Sequence, residues 1–508
     1  MTYRVIQAEL KIDWAHDNDE LSLVDESARL ISASGSSRLA PPYQSITGTS
    51  GQIPTASFVL DNADNRYSAL VASSPLYSEI SGGKMYRVPV RFRVSVDGGA
   101  TFITIFRGVA KLPKVATLTT EQGQTISLDC RGNLEKILNV RVSASQSDFA
   151  TWFDGGYTEG DIIDHILGTY VGMSDVTDYT VEAGAFQIRN VPADNESAVE
   201  LCWRLAAATG GRFHVNKGGR IMYWNWTAFL RDPAAVTSQA TLDRSTFAGF
   251  ASYYDDRDLA SKVIVTGSLP ETGDSGTVWH AREALLVPPG QTRSIEAKWG
   301  GGLYSITGVT YRAASAGGTD LTSSIALTRT DYAQRMTLSF ANSHATLQAI
   351  ITKLAITGVT VEAEDFTEEA TTVNTFWGGP TRPGNSLVQR VNSDYIQSPA
   401  QAASLAAFVL GRQELPVLFY DIKGAPGNPD LDVGQRITID DSQTMDDARD
   451  AFIIGLRWQH GADTGFRQDI EAIDTAALYP FIDASPGYFV ISTNKLGAAD
   501  AARGRVFF

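Results

Sequence analysis

The stretch Arg87-Val88-Pro89-Val90-Arg91-Phe92-Arg93-Val94-Ser95-Val96 decides the fold class. Val88, Val90, Phe92, Val94 and Val96 fall on one face of an extended chain. Arg87, Pro89, Arg91, Arg93 and Ser95 fall on the other. A period of two marks a half-buried strand, because successive side chains point to opposite faces. Asp97-Gly98-Gly99 is a hairpin turn signal, and Thr101 to Phe106 returns as the partner strand. Pro89 lacks the N–H that a ladder needs, which predicts an edge strand or a strand with a free end. Thr125 to Cys130 alternates in the same way, so residues 1–140 read as an N-terminal β-barrel or sandwich.

Outward from this hairpin the chain changes character. Residues 141–260 read as a helix–hairpin α+β domain. A short helix covers Glu159 to Leu167, and a longer one follows the N-cap candidates Asp194-Asn195. In the longer one Ala198, Leu201, Cys202, Leu205 and Ala206 recur on one helical face, and Gly210-Gly211 stops it. Asn216-Lys217-Gly218-Gly219 then joins two short strands. Residues 261–395 read as the first strand of a second barrel, Ser261 to Thr266, followed by an inserted β-sandwich rich in Thr, Gly, Ser and Ala. Its clearest strand is Lys353 to Val361. In 396–477, Ser398-Pro399-Ala400-Gln401 opens a helix with N-cap, Pro and capping box, and strands near 416–422, 434–440, 452–458 and 469–474 complete the second barrel. The last segment, 478–508, reads as a C-terminal arm ending on Val506-Phe507-Phe508, which is expected to dock on its own surface or a neighbour. The fold class is thus mainly β with minor α+β, with two small barrels.

A repeat echoes across the two barrels. Gly108 to Leu128 in one half and Gly455 to Ala472 in the other mark similar strand spacings. Either the barrel is duplicated, or two antiparallel barrels share a common spacing.

Composition excludes several functions. The 508 residues fill about three or four domains. Lys and Arg total 42 against 57 Asp and Glu, a net charge of −15, which disfavours a generic grip on a phosphate backbone. Two cysteines, Cys130 and Cys202, exclude a disulfide scaffold or a Cys-based zinc module. No stretch approaches the about 20 apolar residues of a membrane span. The alternating start, Met1 to Glu9, lacks the apolar centre of a signal peptide, which predicts a cytoplasmic origin.

No catalytic constellation stands out. Gly273-Asp274-Ser275-Gly276 matches the string around a chymotrypsin-like nucleophile, but Thr277 replaces the next glycine and none of His16, His165 and His214 has the right setting. Carboxylates such as Asp161/Asp164 and Glu362/Glu364 read as solvated faces rather than a glycosidase pair. Asp61-Asn62-Ala63-Asp64-Asn65 resembles a calcium loop but fails at Ala63 and Arg66 and reads as an Asx-rich turn. No phosphate loop or dinucleotide pattern occurs, and no cofactor is expected. Arg87, Arg91 and Arg93 form a stripe that fits an acidic partner surface or a solvated strand face. With Val506, Phe507 and Phe508 they are the candidate interface residues.

These readings converge with a resemblance. The run Ala56 to Ser68, then Ser74-Pro75-Leu76-Tyr77, Lys84 to Val94 and Phe106-Arg107-Gly108, resembles hub or tail-tip proteins of tailed phages. So do the 196–208 helix with its Gly-Gly-Arg-Phe-His-Val hairpin, and Ser393 to Ser398 leading into helix 398–410, Asn428 to Ile437 and Ile453-Ile454-Gly455. The resemblance implies a structural, non-enzymatic homotrimer in the virion, two barrels per chain forming a pseudo-sixfold ring around a channel for DNA and the tape-measure protein. It implies other tail proteins as partners: a distal tail or tube protein, and a fibre or spike. The alternative is a receptor- or carbohydrate-binding tail component, with Trp279, Trp299, Tyr304 and Tyr311 of the insert as stacking candidates.

Overall fold

The computed structural model describes residues 6–15, 23–39, 52–67, 71–73, 77, 87–111, 114–117, 124–228, 232–255, 259–372, 387–414, 416–461 and 464–475. The segment 478–508, with Val506, Phe507 and Phe508, lies outside these residues, as does Ser74-Pro75-Leu76.

The molecule is mainly β. Its N-terminal half is built from β1 (Gln7–Ile12), β2 (Leu30–Arg38), β3 (Thr55–Asp61), β4 (Val88–Ser95), β5 (Ile103–Ala110), β6 (Lys114–Thr117) and β7 (Gln124–Gly132). The alternation read from Val88 onward is seen directly: Val88, Val90, Phe92 and Val94 are buried. They face Phe58, Leu128, Trp14 and Tyr67 in one core. Pro89, however, does not mark an edge, since β4 lies between β1 and β5. The ladder with β1 ends at the Ile12–Val90 pair, so the missing N–H falls just past it, and the Pro89 carbonyl accepts from Asp13 N at 3.0 Å.

The middle of the chain forms the helical layer. Here α1 (Gln146–Gly155), α2 (Glu159–His165) and α3 (Ala198–Ala208) pack with the hairpin of β8 (Arg212–Val215) and β9 (Ile221–Trp224). The N-cap of α3 is Ser197, whose side chain accepts from Glu200 N, rather than Asp194 or Asn195. Asn195 instead holds a left-handed turn at φ 56°. The next strands, β10 (Thr241–Asp243) and β11 (Gly249–Asp255), leave this layer and pair with the C-terminal half.

The strand that starts near Ser261 does not open a second barrel. It is β12 (Lys262–His280), which pairs along its length with β18 (Ala349–Thr371) and in parallel with β19 (Val388–Asn392). Its first residues are apolar because they sit in the helical layer's core, where Val263 and Val265 meet α4 (Pro399–Gln413). Between them run β13 (Leu285–Val287), β14 (Thr292–Lys298), β15 (Leu303–Ala314), β16 (Ile325–Asp331) and β17 (Arg335–Asn342). A five-stranded and a three-stranded sheet enclose a separate core of Met336, Leu338, Phe340, Ile351 and Ile356. Helix α4 begins as read: Ser398 caps Gln401 N and Pro399 takes the first turn. The reciprocal bond comes from Gln397 N, one residue before the cap, which donates to Gln401 Oε1 at 2.9 Å.

The C-terminal half comprises β20 (Val417–Pro426), β21 (Arg436–Asp440), β22 (Arg449–Gly461) and β23 (Gly465–Asp474), with β10 and β11. Its strand order repeats that of the N-terminal half. One reads β4-β5-β7-β3-β2, the other β21-β22-β23-β20-β11, all antiparallel. In place of β1, which joins β4 antiparallel, β10 joins β21 in parallel. The halves meet where β2 pairs with β22, from Arg38–Gly455 to Ser32–Gly461, making one sheet of 14 strands. Each half curls over its own core, and the pairings among the described residues form one branched sheet in which neither half closes on itself.

Candidate functional site

The junction between the halves has an aromatic face and a polar face. On its core face, Trp458 of β22 crosses into the N-terminal core. Its indole stacks on Phe92 with ring centroids 5.1 Å apart and planes 13° from parallel. Phe58 lies 6.4 Å from it and, with Phe92, forms a tilted pair at 5.4 Å. Gly35 of β2 is the register partner of Trp458. A Cβ on Gly35 would lie 2.4 Å from Trp458 Cζ2 and 2.7 Å from the Thr55 carbonyl, so only glycine lets the ring lie there. Phe466 of β23 follows Trp458 into the same core.

The opposite face is polar. Register places Asp469, Arg457, Ser36, Thr55 and Arg131 in one row across five strands. The neighbouring row is Arg467, Gln459, Ser34, Ser57 and Asp129. Ser36 and Thr55 hydroxyls are 3.0 Å apart across β2 and β3. Arg38 and Arg457 both reach Glu471, at 3.0 and 3.3 Å, and Arg131 reaches Glu135 at 3.1 Å. The residues of the two rows, with Lys111, line an open cleft of about 610 Å³. Its hydroxyls and charges of both signs sit on laddered backbone, so the face is polar. Cys130 in its lining is no nucleophile: complete burial pushes its thiol far up.

A brace from the helical layer touches both halves. At the tip of the β8–β9 hairpin, Lys217 N donates to Asp432 at 2.9 Å, and Lys217 Nζ to the Pro429 and Asp430 carbonyls at 2.6 Å each. On the other side Asn133 Nδ2 donates to the Gly219 carbonyl at 2.6 Å. Within the hairpin, His214 is buried with neither ring nitrogen bonded, 4.4 Å edge-on from Trp224. Burial, helped by the charge of Arg212, pushes its pKa down to about 3.

The sequence candidates fall in several places. Arg91 and Arg93 converge on Glu9: Arg93 binds it bidentately at 2.7 Å, and Arg91 stands 4.0 Å away. Arg87 is apart from them, donating to the Lys136 carbonyl at 3.2 Å. Ser275 is a ladder residue of β12 opposite Val359. Asp161 closes the capping box of α2, and Glu362 faces Glu271 across the ribbon. Asp61 and Asn62 form the Asx-type turn, accepting from Ala63 N and Tyr67 N. The insert aromatics lie against cores, with Trp299 Nε1 bonded to the Ala333 carbonyl and Tyr304 OH to Asp154. Among the described residues no group of three His, Cys, Asp or Glu is placed to hold a metal, and no helix is long and apolar enough to cross a membrane. The junction itself escaped sequence reading. The signal present was Gly35 inside a strand run, which marks a close backbone approach.

No family model and no curated protein matches the chain. Solved structures do. A tail protein from Neisseria meningitidis MC58 matches at 10% identity and TM-score 0.48, over 93% of this chain and 98% of that one. The 43 kDa tail protein of prophage MuSo2 from Shewanella oneidensis matches at 9% and 0.44, over 93% and 99%. The chain is similar to phage tail proteins. An E. coli type VI secretion component, described as structurally similar to T4 bacteriophage tail proteins gp27 and gp5, matches at 11% and 0.35, over 89% and 75%. At these identities and TM-scores the likenesses transfer no residue role and no activity.

Proposed function

We propose that the chain is the structural hub of a phage tail tip or baseplate. It forms a trimeric ring in the virion that joins a sixfold tail tube to a threefold tip and encloses the channel for DNA ejection. The observation that carries this reading is the repeated strand order of two halves joined edge to edge in one sheet. A chain that carries two equivalent units makes six positions from three copies. The polar junction face suits a wetted wall, and the net charge of −15 suits passage of DNA without adhesion. Partners are a tube or distal tail protein, the tape-measure protein and a fibre or spike, and the role is structural rather than enzymatic. A receptor- or carbohydrate-binding role has less support, because the insert aromatics that would carry it pack against cores.

Light scattering of the full chain tests the reading. A mass of three chains is expected; a monomer that persists at tens of micromolar sinks it.

A further inference from the structure

The internal repeat specifies how one copy meets the next. The two halves share not only strand order but an irregularity. In the C-terminal half β22 carries one extra residue between the Ile453–Ala472 and Gly455–Glu471 pairs. In the N-terminal half the chain from β5 to β6 carries one extra residue between Ala110–Cys130 and Lys114–Ser127. Aligned on these bulges, Cys130 corresponds to Ala472. The partner of Cys130 on β3 is Ala56, and the partner of Ala472 on β20 is Tyr420. Their partners in turn are Gly35 on β2 and Ser252 on β11. Four residues before Cys130 and Ala472 stand Ile126 and Gln468, which pair with Val115 and Trp458. So Ser252 is the counterpart of Gly35, and Val115 is the counterpart of Trp458.

Gly35 and Trp458 are register partners across the junction inside one chain. Their counterparts are not joined within the chain. Among the described residues β11 has one strand neighbour, β20, and β6 has one, β7. Six strands separate β11 from β6 along the sheet. We propose that β11 of one copy pairs antiparallel with β6 of a second copy, Ser252 opposite Val115, repeating the β2–β22 junction between chains. This inference rests on the ring proposed above and names its contact. The outward face of β11 carries Tyr254, 69% exposed, at the open edge of the sheet. A head-to-tail contact of this kind closes into a ring when its rotation divides a full turn, and otherwise grows a filament.

The test is a disulfide in the full chain carrying Ser252→Cys and Val115→Cys. Directly opposed residues of antiparallel strands lie about 4.5–5.5 Å apart at Cα, within disulfide reach. Cys130 and Cys202 are buried and do not compete. After mild oxidation, a non-reducing gel is expected to show a ladder ending at the ring. The pair Ser252→Cys with Ala116→Cys, one residue out of register, should link far less. Mixing chains that carry one substitution each should give linked dimers, which keeps the test informative if the double variant folds poorly. An oligomer by light scattering with no link overturns the edge assignment and leaves the hub, with segment 478–508 the next occupant of the β11 edge to examine. A monomer overturns both, and a ladder without an end keeps the contact and sinks the ring.

Discussion

The two halves of the large sheet share a strand order and a one-residue irregularity, but not a core. The N-terminal core is aromatic, built on Trp14, Phe58, Tyr67, Phe92 and Phe106. The C-terminal core is aliphatic, built on Ile437, Ile439, Ile453, Leu456, Ile470 and Ile473. Exchange across the junction is unequal as well. The C-terminal half lends Trp458 and Phe466 to its neighbour and receives Leu39. The lesson is that one pattern of backbone pairing can be filled by different side chains, because ladder and bulge geometry tolerate any core of suitable volume. Dependence between the halves should then run mainly one way.

The largest expected break is Trp458→Ala. It removes a buried indole from a tightly stacked core and should cost about 3–5 kcal/mol in chemical denaturation. Loss should appear first in the N-terminal half by hydrogen exchange, at amides of β3 and β4. Protection lost equally in β20 and β21 would refute one-way dependence. Gly35→Ala is the next, at about 1–3 kcal/mol from overpacking against the ring. Combined with Trp458→Ala its cost should shrink to the clash with the Thr55 carbonyl, and strict additivity would show that the ring adds nothing to it.

The remaining effect concerns the brace and is spread over a range of pH. His214 stays neutral in the fold, with a pKa near 3, while an unfolded histidine titrates near 6.5. Between these values the unfolded chain binds the proton and the folded chain does not. Stability should therefore be full above about pH 6.5 and fall by about 1.4 kcal/mol per pH unit as pH drops toward 3. His214→Leu should flatten that slope in urea unfolding by one proton's worth, and an unchanged slope would mean another group carries it. The loosening should fall on the C-terminal side, because Trp224, in contact with His214, packs against that core.

Much of this architecture was legible. The valine alternation from Val88, the cap at Ser398 and the Asn216 to Gly219 turn are local patterns, and local sterics and hydrogen bonding suffice to specify them. The repeat was visible as a spacing, yet reading it as Gly108 with Gly455 missed the structural match of Ala110 with Ile453. Bulges shift register by single residues, and no residue type announces them here. The strand after Ser261 was misplaced for a related reason. Its valines report burial, but not which core buries them.

By itself the sequence determined that this is a mainly β, acidic chain with a helix capped at Ser398. Those properties follow from period, composition and neighbours within a turn or two. Only the tertiary structure decided that Trp458 belongs to the other half's core, that Gly35 makes room for it, and that one sheet spans both halves. Those facts depend on pairing between segments more than 400 residues apart. The chain entropy of closing so long a loop is insensitive to which partner is chosen, and the choice falls to packing at the point of contact.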